Sequence, residues 1–78
     1  MKIIKEIILN LRTKETQEFD ILNKKLQMEW TLRFEFIDGD ICMIINESTL
    51  TAVWFETIEE IEAFLKDSFL SKKEFELM

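Results

Sequence analysis

Residues 28–46 have the sequence MEWTLRFEFIDGDICMIIN, and their pattern decides the fold. Apolar side chains occupy the even positions from 28 to 36, whereas Glu, Thr and Arg occupy the odd positions from 29 to 35. This period of two is typical of a half-buried β-strand over residues 28–37. The tripeptide at residues 38–40 is Asp-Gly-Asp. It predicts a hairpin, because Gly adopts positive φ without penalty and Asp is common in turns.

The two segments that follow are apolar on both faces. Residues 41–46 are ICMIIN and residues 50–55 are LTAVWF, so odd and even positions alike carry large apolar side chains. For residues 41–46 this pattern favours a central strand that is covered on two sides. The tripeptide Asn-Glu-Ser at 46–48, which begins with the last residue of the first segment, predicts a turn. We therefore expect a three-stranded antiparallel meander.

A helix is predicted to begin after Thr57. Residues 57–60, TIEE, have the form of a capping box, in which Thr57 accepts the backbone N–H of Glu60 and Glu60 reaches back to the N–H of Thr57. Glu62 precedes Lys66 by four residues, which is the favourable order for an ion pair on a helix. The predicted apolar stripe consists of Ile58, Ile61, Phe64, Leu65 and Ser68.

The N-terminal segment fits two kinds of structure. Its apolar residues fit one stripe of a helix without a miss, and they are Ile3, Ile4, Ile7, Ile8 and Leu11. A strand would place Lys5 on the apolar face, although β-branched Ile favours a strand. We predict a helix over residues 2–12, with a strand as the alternative. A short edge strand is then expected at residues 17–22, followed by a turn at 23–25.

The resulting order is helix, short strand, three longer strands and helix. It predicts an α+β protein: one domain over residues 1–78, with a small antiparallel sheet of three to four strands flanked by an N-terminal and a C-terminal helix. For the tail we expect either one more helical turn starting at Ser71 or fraying of the last four residues.

Composition narrows the class of protein. The 78 residues include no His, one Cys and one Gly, so an intrachain disulfide, a sulfur-rich zinc site and a glycine-rich phosphate loop are all excluded. The longest apolar run, residues 41–45, is far shorter than a membrane span requires, and Lys5 and Glu6 interrupt the N-terminal stretch too early for a signal peptide. We expect a cytoplasmic protein. The 11 Ile against 2 Ala, and 8 Lys against 2 Arg, suggest AT-rich codons and an origin in a low-GC bacterium or in a phage or mobile element of one.

No residue pattern points to catalysis or to a cofactor. Cys42 lies between two apolar neighbours, which favours an inert core thiol. The acidic residues near the two predicted turns, Asp38, Asp40 and Glu47, are too few for a calcium loop. The carboxylate pairs Glu59 with Glu62 and Glu29 with Glu35 fall on predicted solvent faces. We expect no catalytic residue, no cofactor, no metal and no enzyme activity.

The charge favours a protein as the partner. A net charge of −6 repels phosphate, so we expect no direct binding to nucleic acid. We predict a non-enzymatic acidic protein-binding module, an inhibitor of the phage type that engages a basic, nucleic-acid-binding protein. The candidate binding residues are Glu56, Glu59, Glu60, Glu62, Asp67, Trp30 and Trp54.

The apolar surface of the predicted strands exceeds what one core needs. Cys42 and Ile44, with either Trp54 or Phe55, would lie on the second face of the sheet. Either the two helices cover opposite faces, or the second face is an interface. The alternative hypothesis is therefore a homo-oligomeric structural or accessory protein, in its simplest form a homodimer, that buries this apolar face against a second copy.

Overall fold

The computed structural model describes residues 2–46, 49–69 and 75–78. The chain begins with a helix, α1 (Lys2–Leu11). Four strands follow: β1 (Gln17–Asn23), β2 (Met28–Ile37), β3 (Asp40–Asn46) and β4 (Leu50–Phe55). They are followed by α2 (Ile58–Phe64), a single π-helical turn over Leu65–Phe69, and β5 (Phe75–Leu77). The α+β class is therefore confirmed, and so is the helix at the N-terminus.

The five strands form one antiparallel sheet in the order β4-β3-β2-β1-β5. The prediction of three to four strands is wrong. A fifth strand, Phe75–Leu77, pairs with β1 through Ile21, Leu22 and Asn23. β1 is consequently an interior strand rather than the predicted edge strand, and α2 is not the last element. The predicted helical turn or frayed end is wrong over Phe75–Leu77, and its start at Ser71 lies outside the described residues.

The predicted hairpin between β2 and β3 is confirmed. Its loop consists of two residues, Asp38 and Gly39, and both have positive φ, 49° and 86°. Positive φ at both positions is the requirement of a type I′ turn, whose twist matches that of the flanking strands. This turn fixes the register of β2 and β3, and through it decides which side chains share a face.

Both helices pack on the same face of the sheet, which we call the covered face. The spacing of Ile in α1 predicted one buried stripe, and all of its residues are buried: Ile3, Ile4, Ile7, Ile8 and Leu11. They form one cluster with Ile61 and Leu65 and with strand residues that include Leu32, Phe34, Met43 and Phe55. The strand alternative for the N-terminus and the placement of helices on opposite faces are therefore wrong. Within the described residues, helices cover β3 on one face, not on two.

The start of α2 is set by its cap. The hydroxyl of Thr57 accepts the backbone N–H of Glu60 at 3.2 Å, as predicted. The reciprocal bond differs from the prediction, because the Glu60 carboxylate accepts the N–H of Glu56 at 3.3 Å. Glu62 and Lys66 form the expected ion pair at 3.5 Å. Capping and helix dipole together favour this short acidic helix.

The predicted turn after β1 also forms. The buried Asn23 side chain accepts the backbone N–H groups of Lys25 at 3.1 Å and Leu26 at 3.0 Å. This is the local hydrogen bonding that makes Asn frequent in turns. Among the described residues, no helix is long and apolar enough to cross a membrane.

Candidate protein-binding surface

The other face of the sheet, which we call the open face, has no helix packed on it within the described part of the chain. Directly opposed residues of an antiparallel pair lie on the same face, so the registers place its side chains in rows across the strands. One row holds Trp54, Cys42 and Glu35, the next Ala52, Ile44, Arg33 and Glu18, and the third Leu50, Asn46, Thr31 and Asp20. The face therefore has an apolar half on β3 and β4 and a polar half on the other strands.

The apolar half is exposed to solvent. Leu50 is 71% exposed and Trp54 is 57% exposed, while Ala52 is exposed and Ile44 is half-buried. Cys42 is buried even though no described helix lies above it, and its direct neighbours on the adjacent strands are Trp54 and Glu35. Large apolar side chains that lie next to one another on a surface are typical of an interaction site.

The polar half is rich in carboxylates. Arg33 donates hydrogen bonds to Glu35 at 2.9 Å and to Glu18 at 3.3 Å, and these bonds, with the one to Glu35 the stronger, raise the pKa of the guanidinium. Arg33 therefore stays charged and holds both carboxylates in place. The other acidic side chains of this half are Asp20, Glu29 and Glu76. The five carboxylates outnumber the two cations beside them, Arg33 and the Lys24 ammonium next to Glu76, so this half is negative.

The predicted acidic residues lie elsewhere, on or next to α2. Glu56 and Asp67 are exposed. The remaining three have contacts within the chain: Glu59 lies 3.8 Å from Arg12, Glu60 accepts the N–H of Glu56, and Glu62 pairs with Lys66. Because α2 packs on the covered face, the structure does not bring Glu59, Glu60 and Glu62 together with Trp54, whereas Glu56 follows Trp54 by two residues at the end of β4.

The two tryptophans lie on opposite faces. Trp30 is half-buried on the covered face, with its ring centroid 5.0 Å from that of Phe75. Trp54 is the exposed one. The sequence predicts Ile44 on the second face, with Leu50 and Trp54 together on one face of their strand, but it does not predict that the carboxylates of β1 belong to the same surface. The polar residues at odd positions of 28–37 indicate which face of that strand is polar. Only the sheet order shows that the carboxylates of β1 lie beside them.

Apart from the open face, the molecule has a cleft at one end. The cleft, of about 510 Å³, lies between the end of α1, the β2–β3 hairpin and the start of α2. Its charged lining residues are Arg12, Lys14, Glu56 and Glu59. These charges oppose one another across the cleft, so it offers no single sign of charge to a ligand. Among the described residues, no group of three or more His, Cys, Asp or Glu could hold a metal ion.

Comparison with known proteins adds no relative. A scan against protein-family models found no match, and neither did searches of curated proteins and of solved structures.

Proposed function

We propose that the protein is a non-enzymatic binding module that engages a basic protein through the open face of its sheet. The observation that carries the proposal is the position of Trp54, which is 57% exposed in an apolar half that borders the carboxylate-rich half of the open face. Trp is the side chain that most often dominates the energy of a protein interface. The neighbouring carboxylates would supply charge complementarity and orientation.

The chemistry of the open face sets the chemistry of the partner. An apolar side chain or groove would pack on Trp54 and Ile44, while Lys or Arg would meet Asp20, Glu29 and the carboxylates held by Arg33. Adjacent strands lie about 4.8 Å apart, so a partner the width of one strand pair or helix can reach both halves. Nucleic-acid-binding proteins carry such basic surfaces, and the carboxylates of the open face would occupy the place of phosphates. Inhibition by competition with nucleic acid is the corresponding biological role.

The proposal moves the binding site from α2 to the open face. Charge does not decide between the two surfaces, because carboxylates near α2 and on the open face alike have partners within the chain. The open face is favoured because it has exposed apolar side chains, Trp54 and Leu50, beside its carboxylates. The earlier prediction for Glu59 and Glu62 is kept as the competing outcome of the experiment.

The test is capture from a lysate of the native host, using tagged protein and two matched double reversals. Asp20→Lys with Glu29→Lys changes the open face, and Glu59→Lys with Glu62→Lys changes α2 by the same amount of charge. We expect the open-face reversal and Trp54→Ala each to lower recovery of a basic protein by well over tenfold, while the α2 reversal retains it. Thermal melting of each variant checks that the fold is intact.

Two results would contradict the proposal. If the α2 reversal alone abolishes capture, α2 is the binding surface. If Trp54→Ala leaves capture unchanged at low and high salt, the apolar half is not an anchor and the open face is not the site.

A further inference from the structure

The two edges of the sheet differ in their protection against pairing with another strand. β5 is only three residues long, and its Glu76 carboxylate lies 3.8 Å from the Lys24 ammonium. β4 presents six residues, Leu50–Phe55, none of which is charged, Gly or Pro. Its pairing with β3 runs through all six without a bulge. Short length, charge, Pro and bulges are the devices that protect sheet edges, so β4 is the unprotected edge.

We propose that β4 pairs with β4 of a second copy of this chain, antiparallel and about a two-fold axis. Opposed residues in such a pair lie on the same face, so the two open faces join into one. The register that opposes Ala52 with Ala52 of the second copy places Leu50 opposite Trp54 on both sides of the axis. These two side chains are the most exposed large ones on β4, at 71% and 57%, and they pack on each other.

The pattern of β4 selects this register. If the pairing shifts by one step, so that Val53 opposes Val53, Leu50 lies opposite the exposed Glu56 and loses its apolar contact. Within the Ala52 register, the small side chain lies at the axis and the large ones lie to either side, where neighbouring cross-strand pairs stabilise a sheet.

Charge explains why the second copy docks at β4 and stops at two. Each chain carries a net charge of −6, so two copies repel each other, and an uncharged contact adds least to that repulsion. β4 offers that contact, and the pairing puts no like charges opposite each other. The pairing consumes both β4 edges and leaves the protected β5 edges at the ends, which closes the assembly as a dimer.

The first test measures the mass of the pure protein by sedimentation over a range of concentrations. We expect the mass to rise from the 9.4 kDa of one chain toward twice that value. Ala52→Glu places two carboxylates directly opposite each other and should hold the protein at the monomer mass. Ala63→Glu is the matched control, because Ala63 is also exposed but lies on α2. A monomer at every concentration, or an open series of larger oligomers, would overturn the proposal.

A second test does not depend on how well Ala52→Glu folds. In a Cys42→Ala background, Ala52→Cys places two thiols across the axis at a Cα separation of roughly 4.5 to 5.5 Å, which a disulfide can span. Thr51→Cys is the control, because residue 51 opposes Val53 of the second copy and its own counterpart lies beyond about 7 Å. We expect rapid crosslinking at 52 and little at 51. Equal crosslinking at both positions would contradict the register. Both tests use pure protein, so their outcome is separate from that of the partner capture.

Discussion

Cys42 reports on the state of Trp54 at the scale of single residues. The thiol is buried on the open face, and Trp54 is its direct neighbour on β4. We expect Trp54→Ala to increase the rate at which Cys42 reacts with an aromatic disulfide reagent several-fold, because the large ring no longer covers the sulfur. Leu9→Ala, at an exposed position of α1, should leave the rate unchanged. An unchanged rate in Trp54→Ala would mean that Glu35 and the strands themselves shield the thiol.

Thr57 contributes to stability through one hydrogen bond. Its hydroxyl accepts the Glu60 N–H at 3.2 Å, and Thr57→Ala leaves that N–H without its acceptor. We expect a loss of about 1 kcal/mol in the free energy of unfolding, measured by urea denaturation. Thr57→Ser keeps the acceptor and should retain most of the stability. If the alanine and serine variants unfold at the same urea concentration, the cap does not limit the stability of α2.

At the scale of elements, α1 offers an internal comparison between a buried and an exposed aliphatic residue. Ile7 is fully buried under the sheet, whereas Leu9 on the same helix is 71% exposed. We expect Ile7→Ala to destabilise the protein by about 2–5 kcal/mol, because it removes buried surface and leaves a cavity. Leu9→Ala should change the stability by less than about 0.5 kcal/mol.

A more conservative substitution at position 7 is also needed, because a small domain can unfold when one large buried side chain is truncated. Ile7→Val should lower the free energy of unfolding by about 0.5–1.5 kcal/mol. Both measurements use urea denaturation followed by circular dichroism. Equal effects at positions 7 and 9 would contradict the packing of α1 on the covered face.

The sequence predicts those elements whose evidence is local. Alternation in residues 28–37, the Asp38-Gly39 turn and the Thr57 cap each involve neighbouring residues, and each is confirmed. β5 was missed because its three residues are too few for a period of two to be distinguished from a fraying end. Its strand conformation depends on pairing with β1, more than fifty positions earlier in the chain, and no local pattern encodes that partner.

At the scale of the whole molecule, local sequence patterns also do not predict which face of the sheet the helices pack on. The Ile spacing in α1 fixes which side of the helix is apolar, but both faces of β3 are apolar and either could receive it. Packing of both helices on one face leaves Trp54 and Ile44 on the other, so the candidate site follows from this choice. The sequence predicted an excess of apolar surface, and the arrangement of the helices decides where that excess lies.

Salt separates the two kinds of association at this same scale. Binding of a basic partner relies on attraction, which screening weakens, so we expect the association rate to fall steeply as ionic strength rises from about 0.05 M to about 0.5 M. Self-pairing through β4 joins two chains of net charge −6 along uncharged strands, so screening relieves repulsion and the dimer should become tighter over the same range. Melting of the monomeric Ala52→Glu variant should hardly respond, because the ion pairs of the chain are exposed and such pairs contribute about 0–1 kcal/mol each. Sedimentation measures the dimer and binding kinetics measure the partner complex. A dimer that weakens with salt would show that ion pairs rather than β4 hold the two copies together, and a partner complex that ignores salt would show that Trp54 acts without the carboxylates beside it.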